Sequence, residues 1–192
     1  MALKHLLREI SACQACADLL PLGPRPVLQM AASARILIIG QAPGRKVHQS
    51  GIPWSDASGA RLRTWMGVPD RVFYDRSRIA IAPMGFCYPG PAKRGGDNPP
   101  RPECAPLWHE RLLHYLPNLE LTLLVGQYAH RRYLGPRRKH SLTETVEAFT
   151  EYGPELFPLP HPSWRSALWA QEHPWFERVV IPALQTAVRK AL

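Results

Sequence analysis

His161 stands between Pro160 and Pro162 at the end of the apolar run ELFPLP (155–160). Proline fixes φ and carries no N–H, so this segment can neither continue a helix nor sit centrally in a sheet, and its imidazole is held in one place. A neutral imidazole held so can donate one hydrogen bond to an oxygen that gains negative charge during a reaction. Ser163 and Arg165 follow with the large apolar Trp164 between them. A wedge beside a cation suits insertion between stacked bases. A second group lies in GQAPGRKVHQSGIPWSD (40–56): the amide of Gln41, backbone N–H groups around Ala42 and Gly44, the indole of Trp54 and the carboxylate of Asp56. A planar ligand can stack on Trp54 and meet amide and backbone groups at its edges. Asp56 also suits the N-cap of the stretch that follows, as does Ser58. The loop lacks the GxxxxGK[ST] and GxGxxG spacings, so it does not point to a nucleotide cofactor.

The third group is the four cysteines, Cys13, Cys16, Cys87 and Cys104. Cys13 and Cys16 form a C-x2-C pair, which offers two thiolates to one centre at low strain, and the later pair can complete a four-thiolate site. Zinc and a [4Fe–4S] cluster both fit that donor count, and spacing alone does not separate them.

These groups need a frame. ARILIIG (34–40), RIAIAP (78–83), LELTLLVG (119–126) and ELFPLP (155–160) read as strands; the first is the clearest buried one. ASGARLRTWMGV (57–68) and APLWHERLLHYL (105–116) place their apolar residues at helical spacing, as does HPWFERVVIPALQTAVRKAL (173–192), in which Pro182 is expected to produce a kink. Strands alternating with helices indicate an α/β layer fold. Tyr88 to Pro102 has neither signal; a loop that long is usually functional or disordered, and the cysteine at each end suggests a metal clip.

The chain of 192 residues is expected to form one domain over 1–192, with 45% apolar residues, and it carries a formal charge of +9. The excess is largely arginine, dense in AKRGGDNPPR (92–101) and RRYLGPRRKH (131–140), and it favours a polyanionic partner. No apolar run reaches the length of a membrane span. The N-terminus reads as a short amphipathic helix with no cleavable signal, so a cytoplasmic location is expected, and disulfides are not.

Taken together, these motifs resemble the uracil-DNA glycosylase superfamily, most closely its iron–sulfur branch, family 4. GQAPG (40–44) is similar to that family's first motif, GIPWSDASGARLRTWMGV (51–68) to its G-x-P-F segment and following helix, LLVGQYA (123–129) to its third strand, and HPSWR (161–165) to its second motif; the cysteine pattern agrees. The resemblance implies a three-layer α/β/α fold around a mainly parallel four-stranded sheet. It implies a monomeric DNA repair enzyme that flips uracil, or another deaminated base, from DNA and hydrolyses its N-glycosidic bond. By that resemblance His161 stabilises the leaving base, with Gln41 and Asp56 as further catalytic candidates. Gln41, Ala42, Gly44, Trp54 and Asn98 hold the base; Ser163, Trp164 and Arg165 hold DNA. Cys13, Cys16, Cys87 and Cys104 bind a structural [4Fe–4S] cluster, with zinc as the second candidate occupant.

Two positions depart from the family pattern. Gln41 stands where a glutamate is usual, and IAPMGFC (81–87) offers Pro83 and Met84 where an asparagine is usual, which leaves Asn98 as the amide that has to reach the base. Weaker or altered uracil selectivity is therefore expected. AKRGGDNPPR contains no histidine, so covalent capture of DNA is not expected. The same departures suit a non-catalytic DNA-binding module. A zinc-stabilised hydrolase is disfavoured, because the chain has no GxSxG elbow.

Overall fold

In the computed structural model, which describes residues 2–192, the four apolar runs form one sheet. In chain order the elements are α1 (Leu3–Ser11), β1 (Ile36–Ile39), α2 (Arg45–Ser50), α3 (Ala57–Met66), α4 (Asp70–Phe73), β2 (Ile79–Ile81), α5 (Cys104–Leu113), β3 (Leu121–Val125), α6 (Gln127–Tyr133), α7 (Leu142–Glu147), β4 (Leu156–Leu159), α8 (Trp164–Glu172) and α9 (Ile181–Ala191). The strand order is β2-β1-β3-β4 and every pairing is parallel. β1, β2 and β3 are buried along their whole length. That is why they read as continuous apolar runs rather than alternating ones. β4 lies at the edge, where Pro158 and Pro160 cost no central ladder bond.

Alternate side chains of the strands enter two different cores. Ile36, Ile38, Ile79, Ile81, Leu121 and Leu123 pack with Leu62 and Met66 of α3 and with Leu184 and Val188 of α9. Leu37, Ile39, Ala80 and Leu124 pack instead with Leu6 and Ile10 of α1, Trp108 and Leu112 of α5, and Ala129 of α6. Helices cover both faces, so the architecture is the three-layer α/β/α arrangement expected from the sequence.

Pro182 stands in helical backbone that is continuous from Phe176 to Ala191. A π-helical turn over Phe176–Val180 runs directly into α9, and Pro182 is the second residue of α9, so the irregular turn lies just ahead of the proline that cannot donate to the ladder. Pro174 opens that helical segment, its carbonyl accepting from the Arg178 N–H (3.2 Å). No helix among the described residues is long and apolar enough to cross a membrane.

β1 leads to β2 on one side of the sheet, and β3 leads to β4 on the other. The carboxyl ends of β1 and β3 therefore flank a switch point, the place where open α/β sheets form crevices.

Candidate active site

A cleft of about 140 Å³ opens at that switch point. Gln41, Ala42 and Gly44 line it from the loop after β1, Trp54, Asp56 and Ser58 from the approach to α3, Pro83 from the end of β2, Asp97 from the long loop, and His161 from the end of β4. Residues far apart in sequence thus meet where their strands end.

Trp54 is the only residue other than glycine with positive φ among the described residues, at 55°. Its carbonyl accepts hydrogen bonds from the Arg63 guanidinium (3.2 Å) and the Tyr74 hydroxyl (3.2 Å). Arg63 is itself fixed by Tyr74 (3.1 Å) and by an ion pair with Asp70 (2.8 Å). Two glycines make room: a Cβ at Gly59 would lie 1.7 Å from the Trp54 carbonyl oxygen, and one at Gly40 would lie 2.7 Å from the indole. The strained turn is over-determined by its surroundings, and it aims the indole across the end of β1. Arg63, Tyr74 and Asp70 carried no sequence motif of their own.

His161 is held through its backbone. Its carbonyl accepts from the Ser163 N–H (2.8 Å) and the Ser166 hydroxyl, while Arg61 of α3 donates to the Pro162 carbonyl (3.3 Å) and to that of Ser163. The imidazole makes no hydrogen bond among the described residues and faces Trp54, ring centroids 5.7 Å apart with 32° between planes. Burial lowers its pKa below the usual histidine value, and the Asp56 carboxylate pulls weakly the other way, so the ring is neutral at neutral pH.

Asp56 is the N-cap of α3; its Oδ1 accepts from the Gly59 N–H at 2.9 Å. It also lines the cleft, where Oδ2 remains open. Gln41 donates from its amide to the Asn98 carbonyl (3.3 Å), which ties the first loop to the long one. Asn98 does not present its side chain to the cleft. Its Nδ2 donates to the carbonyls of Pro89 and Pro91 (3.2 Å each), because those loop carbonyls would otherwise lack partners. The neighbouring Asp97 lines the cleft instead.

Behind the cleft, His109 Nε2 lies 3.0 Å from the Pro83 carbonyl and so carries the proton; its Nδ1 accepts from the Tyr133 hydroxyl at 2.6 Å. Burial pushes the His109 pKa down to about 4 and that of Tyr133 up to about 12, so both stay neutral.

Cys13, Cys16, Cys87 and Cys104 line a single apolar cavity walled by Leu20, Phe86, Leu107 and Trp108. The Phe86 N–H donates to Cys104 Sγ (3.3 Å), the Arg25 backbone N–H to Cys87, and the Arg101 side chain bonds Cys16. Arg101 Nε is buried beside them with no acceptor. Burial pushes the Cys87 thiol up to about 11 and Cys104 up to about 12. Among the described residues, no group of three or more His, Cys, Asp or Glu side chains is placed to hold a metal ion.

Beyond His161, Ser163 is the N-cap residue of α8. Trp164 is 67% exposed, and the Arg165 guanidinium sits over its ring at 5.3 Å. The two form one projecting apolar and cationic tip beside the cleft. The family described as the uracil DNA glycosylase superfamily matches residues 29–185, a span that holds every residue named as lining the cleft and the Ser163–Arg165 tip, while Cys13, Cys16, Leu20 and Arg25 at the cysteine cavity precede it.

Proposed function

The chain belongs to the uracil DNA glycosylase superfamily, and on that footing we propose that it flips a deaminated base, uracil first among them, out of DNA and hydrolyses its N-glycosidic bond to leave an abasic site. The observation that carries this reading is the neutral His161 facing Trp54 in a cleft large enough for one base.

Unstacking places the base against the Trp54 indole, which replaces the lost stacking. The C1′–N1 bond then breaks with its electron pair going to the base. His161 donates a hydrogen bond to the base oxygen as charge gathers there, a contribution of about 3 kcal/mol for a donor of this kind. Backbone N–H groups around Ala42 and Gly44 polarise the same ring. Water adds its hydroxyl to C1′, its proton leaves, and the base anion is protonated on release. Asp56 Oδ2 is the open carboxylate oxygen at hand for the water, and Gln41 orients it. Ser163 and Arg165 hold flanking phosphates while Trp164 fills the vacated stack.

Cys13, Cys16, Cys87 and Cys104 would hold a [4Fe–4S] cluster. The donor set fits it: four thiols around one cavity, N–H groups aimed at sulfur, and a buried Arg101 Nε that lacks an acceptor. The cluster's contribution is to tie the long loop, and with it Asp97 and the Asn98 carbonyl, against the cleft. We take the protein to act as a monomer in the cytoplasm.

The engagement of Gln41 with Asn98 also suits a DNA-binding module without chemistry. Incubation with uracil-containing single- and double-stranded oligonucleotides, followed by alkali, separates the two. Strand breaks at uracil support the glycosylase; salt-sensitive binding without breaks supports the module.

A further inference from the structure

Some of the polar side chains that line the cleft have a structural partner, and what remains open is unequal. The Gln41 amide nitrogen is held by the Asn98 carbonyl, and Asp56 Oδ1 by the cap of α3. His161 supplies the donor. The side-chain acceptors left facing the cleft are the Ser58 hydroxyl, Asp56 Oδ2, the Gln41 amide oxygen and the carboxyl of Asp97, which Tyr88 engages in part.

Asp97 is placed for this cleft by several contacts. The loop that carries it is closed by the Pro91–Asp97 bridge. The Tyr88 phenol hydrogen-bonds its carboxyl, and Tyr88 is buried, with the ring of His48 at 6.0 Å. A Cβ at Gly44 would come 3.3 Å from Asp97 Oδ2 and 4.0 Å from Asp56 Oδ2, so the two carboxylates flank the same backbone at the cleft wall. Asp97 is exposed at the cleft mouth, and it is one of the residues that line the cleft. Burial there, with Asp56 opposite, raises its pKa above the ordinary aspartate value.

We infer that Asp97 determines base specificity, its carboxyl accepting the ring N–H of the base seated on Trp54; this rests on the glycosylase reading of the cleft. The substrate class that follows is defined by chemistry. Deamination converts a bare ring nitrogen into a ring N–H beside a carbonyl, in uracil, hypoxanthine and xanthine alike. A carboxyl at that edge matches the N–H and opposes the bare N3 of cytosine. Pro83, at the end of β2, has no side-chain polar group, and its carbonyl already accepts from His109.

The test compares free uracil with 3-methyluracil, the same ring with N–CH3 in place of N–H, and with cytosine. Binding to wild type, Asp97→Ala, Asp97→Asn and Tyr88→Phe is measured by titration, alongside excision from oligonucleotides carrying uracil or N3-methyl-uracil. Wild type should favour uracil over both other bases by about tenfold or more, because a carboxylate left facing an N-methyl group or a bare ring nitrogen is unmatched. Asp97→Ala should collapse that ratio, Asp97→Asn should restore much of it, and Tyr88→Phe, which keeps the carboxyl, should retain it. An unchanged ratio in Asp97→Ala overturns the inference, as does equal preference for cytosine or a wild type indifferent to all three. Collapse in Tyr88→Phe and Asp97→Ala alike assigns Asp97 to loop structure and also overturns it. Absence of excision with the binding ratio intact counts against the glycosylase reading alone.

Discussion

The imidazole of His161 and the indole of Trp54 face each other 5.7 Å apart, tilted by 32°. A base sandwiched between two rings needs about 7 Å, twice an aromatic contact distance. His161 therefore meets the base at its edge while Trp54 takes its face. This division of labour makes the imidazole a hydrogen-bond donor rather than a stacking partner.

Asp56 has one oxygen on the α3 cap and one toward the cleft, and the two roles separate by mutation. Asp56→Ala should lower stability by about 1 kcal/mol through loss of the cap. Asp56→Asn keeps a capping oxygen and should unfold with the wild-type midpoint in urea, yet excise about tenfold more slowly or worse if the carboxylate serves the water. Equal excision by Asp56→Asn and wild type assigns Asp56 to the cap alone.

Trp164, exposed at the tip of the loop after His161, should matter where a stack has to be opened. Trp164→Ala is expected to slow excision from duplex about tenfold and from single strands much less, since unstacking costs a few kcal/mol in duplex only. Equal losses on both substrates would contradict a wedge role.

The four-cysteine cavity predicts a coloured protein. Anaerobically purified wild type should absorb at roughly 400 nm and contain iron in analysis, and Cys104→Ser should lose both along with thermal stability. A colourless protein that carries stoichiometric zinc would contradict the cluster.

Two buried histidines make stability depend on pH. His109, bonded to Pro83 and Tyr133, and His130, 2.9 Å from the Leu124 carbonyl, are both held neutral with pKa values lowered to about 4. An unfolded imidazole titrates near 6.5, so between about 4 and 6.5 the unfolded chain binds more protons than the folded one. Their contribution is complete above about pH 6.5 and lost as pH falls through that window, by about 1.4 kcal/mol per pH unit for each histidine. Urea unfolding at about pH 7 and pH 5 should differ by a few kcal/mol, and His109→Gln should shallow the dependence. A flat profile contradicts the buried neutral assignment.

The strands were legible because each is buried on both faces of a parallel sheet, which leaves an unbroken apolar run such as ILII (36–39). α2, α6 and α8 were not. α2 and α6 span six and seven residues, too short for a periodic signal, and α8 begins directly after a proline-rich stretch that argues against a helix. In the site, His161, Trp54, Gln41, Ala42, Gly44 and Asp56 were legible because they sit just past strand ends or just before a helix, positions that geometry brings together. Asn98 and Asp97 were not distinguishable, since an aperiodic loop gives no rule for which of two adjacent side chains turns inward. The Arg63, Tyr74 and Asp70 support of Trp54 left no local trace either, because it exists only through tertiary contact.

The central claim is most directly tested by single-turnover release of free uracil from a uracil-containing duplex, with binding to the same duplex measured in parallel. Wild type should release uracil, and His161→Ala should release it about 100-fold more slowly or worse while binding as tightly. Release at equal rates by both proteins, or binding by wild type with no release at all, would contradict the account.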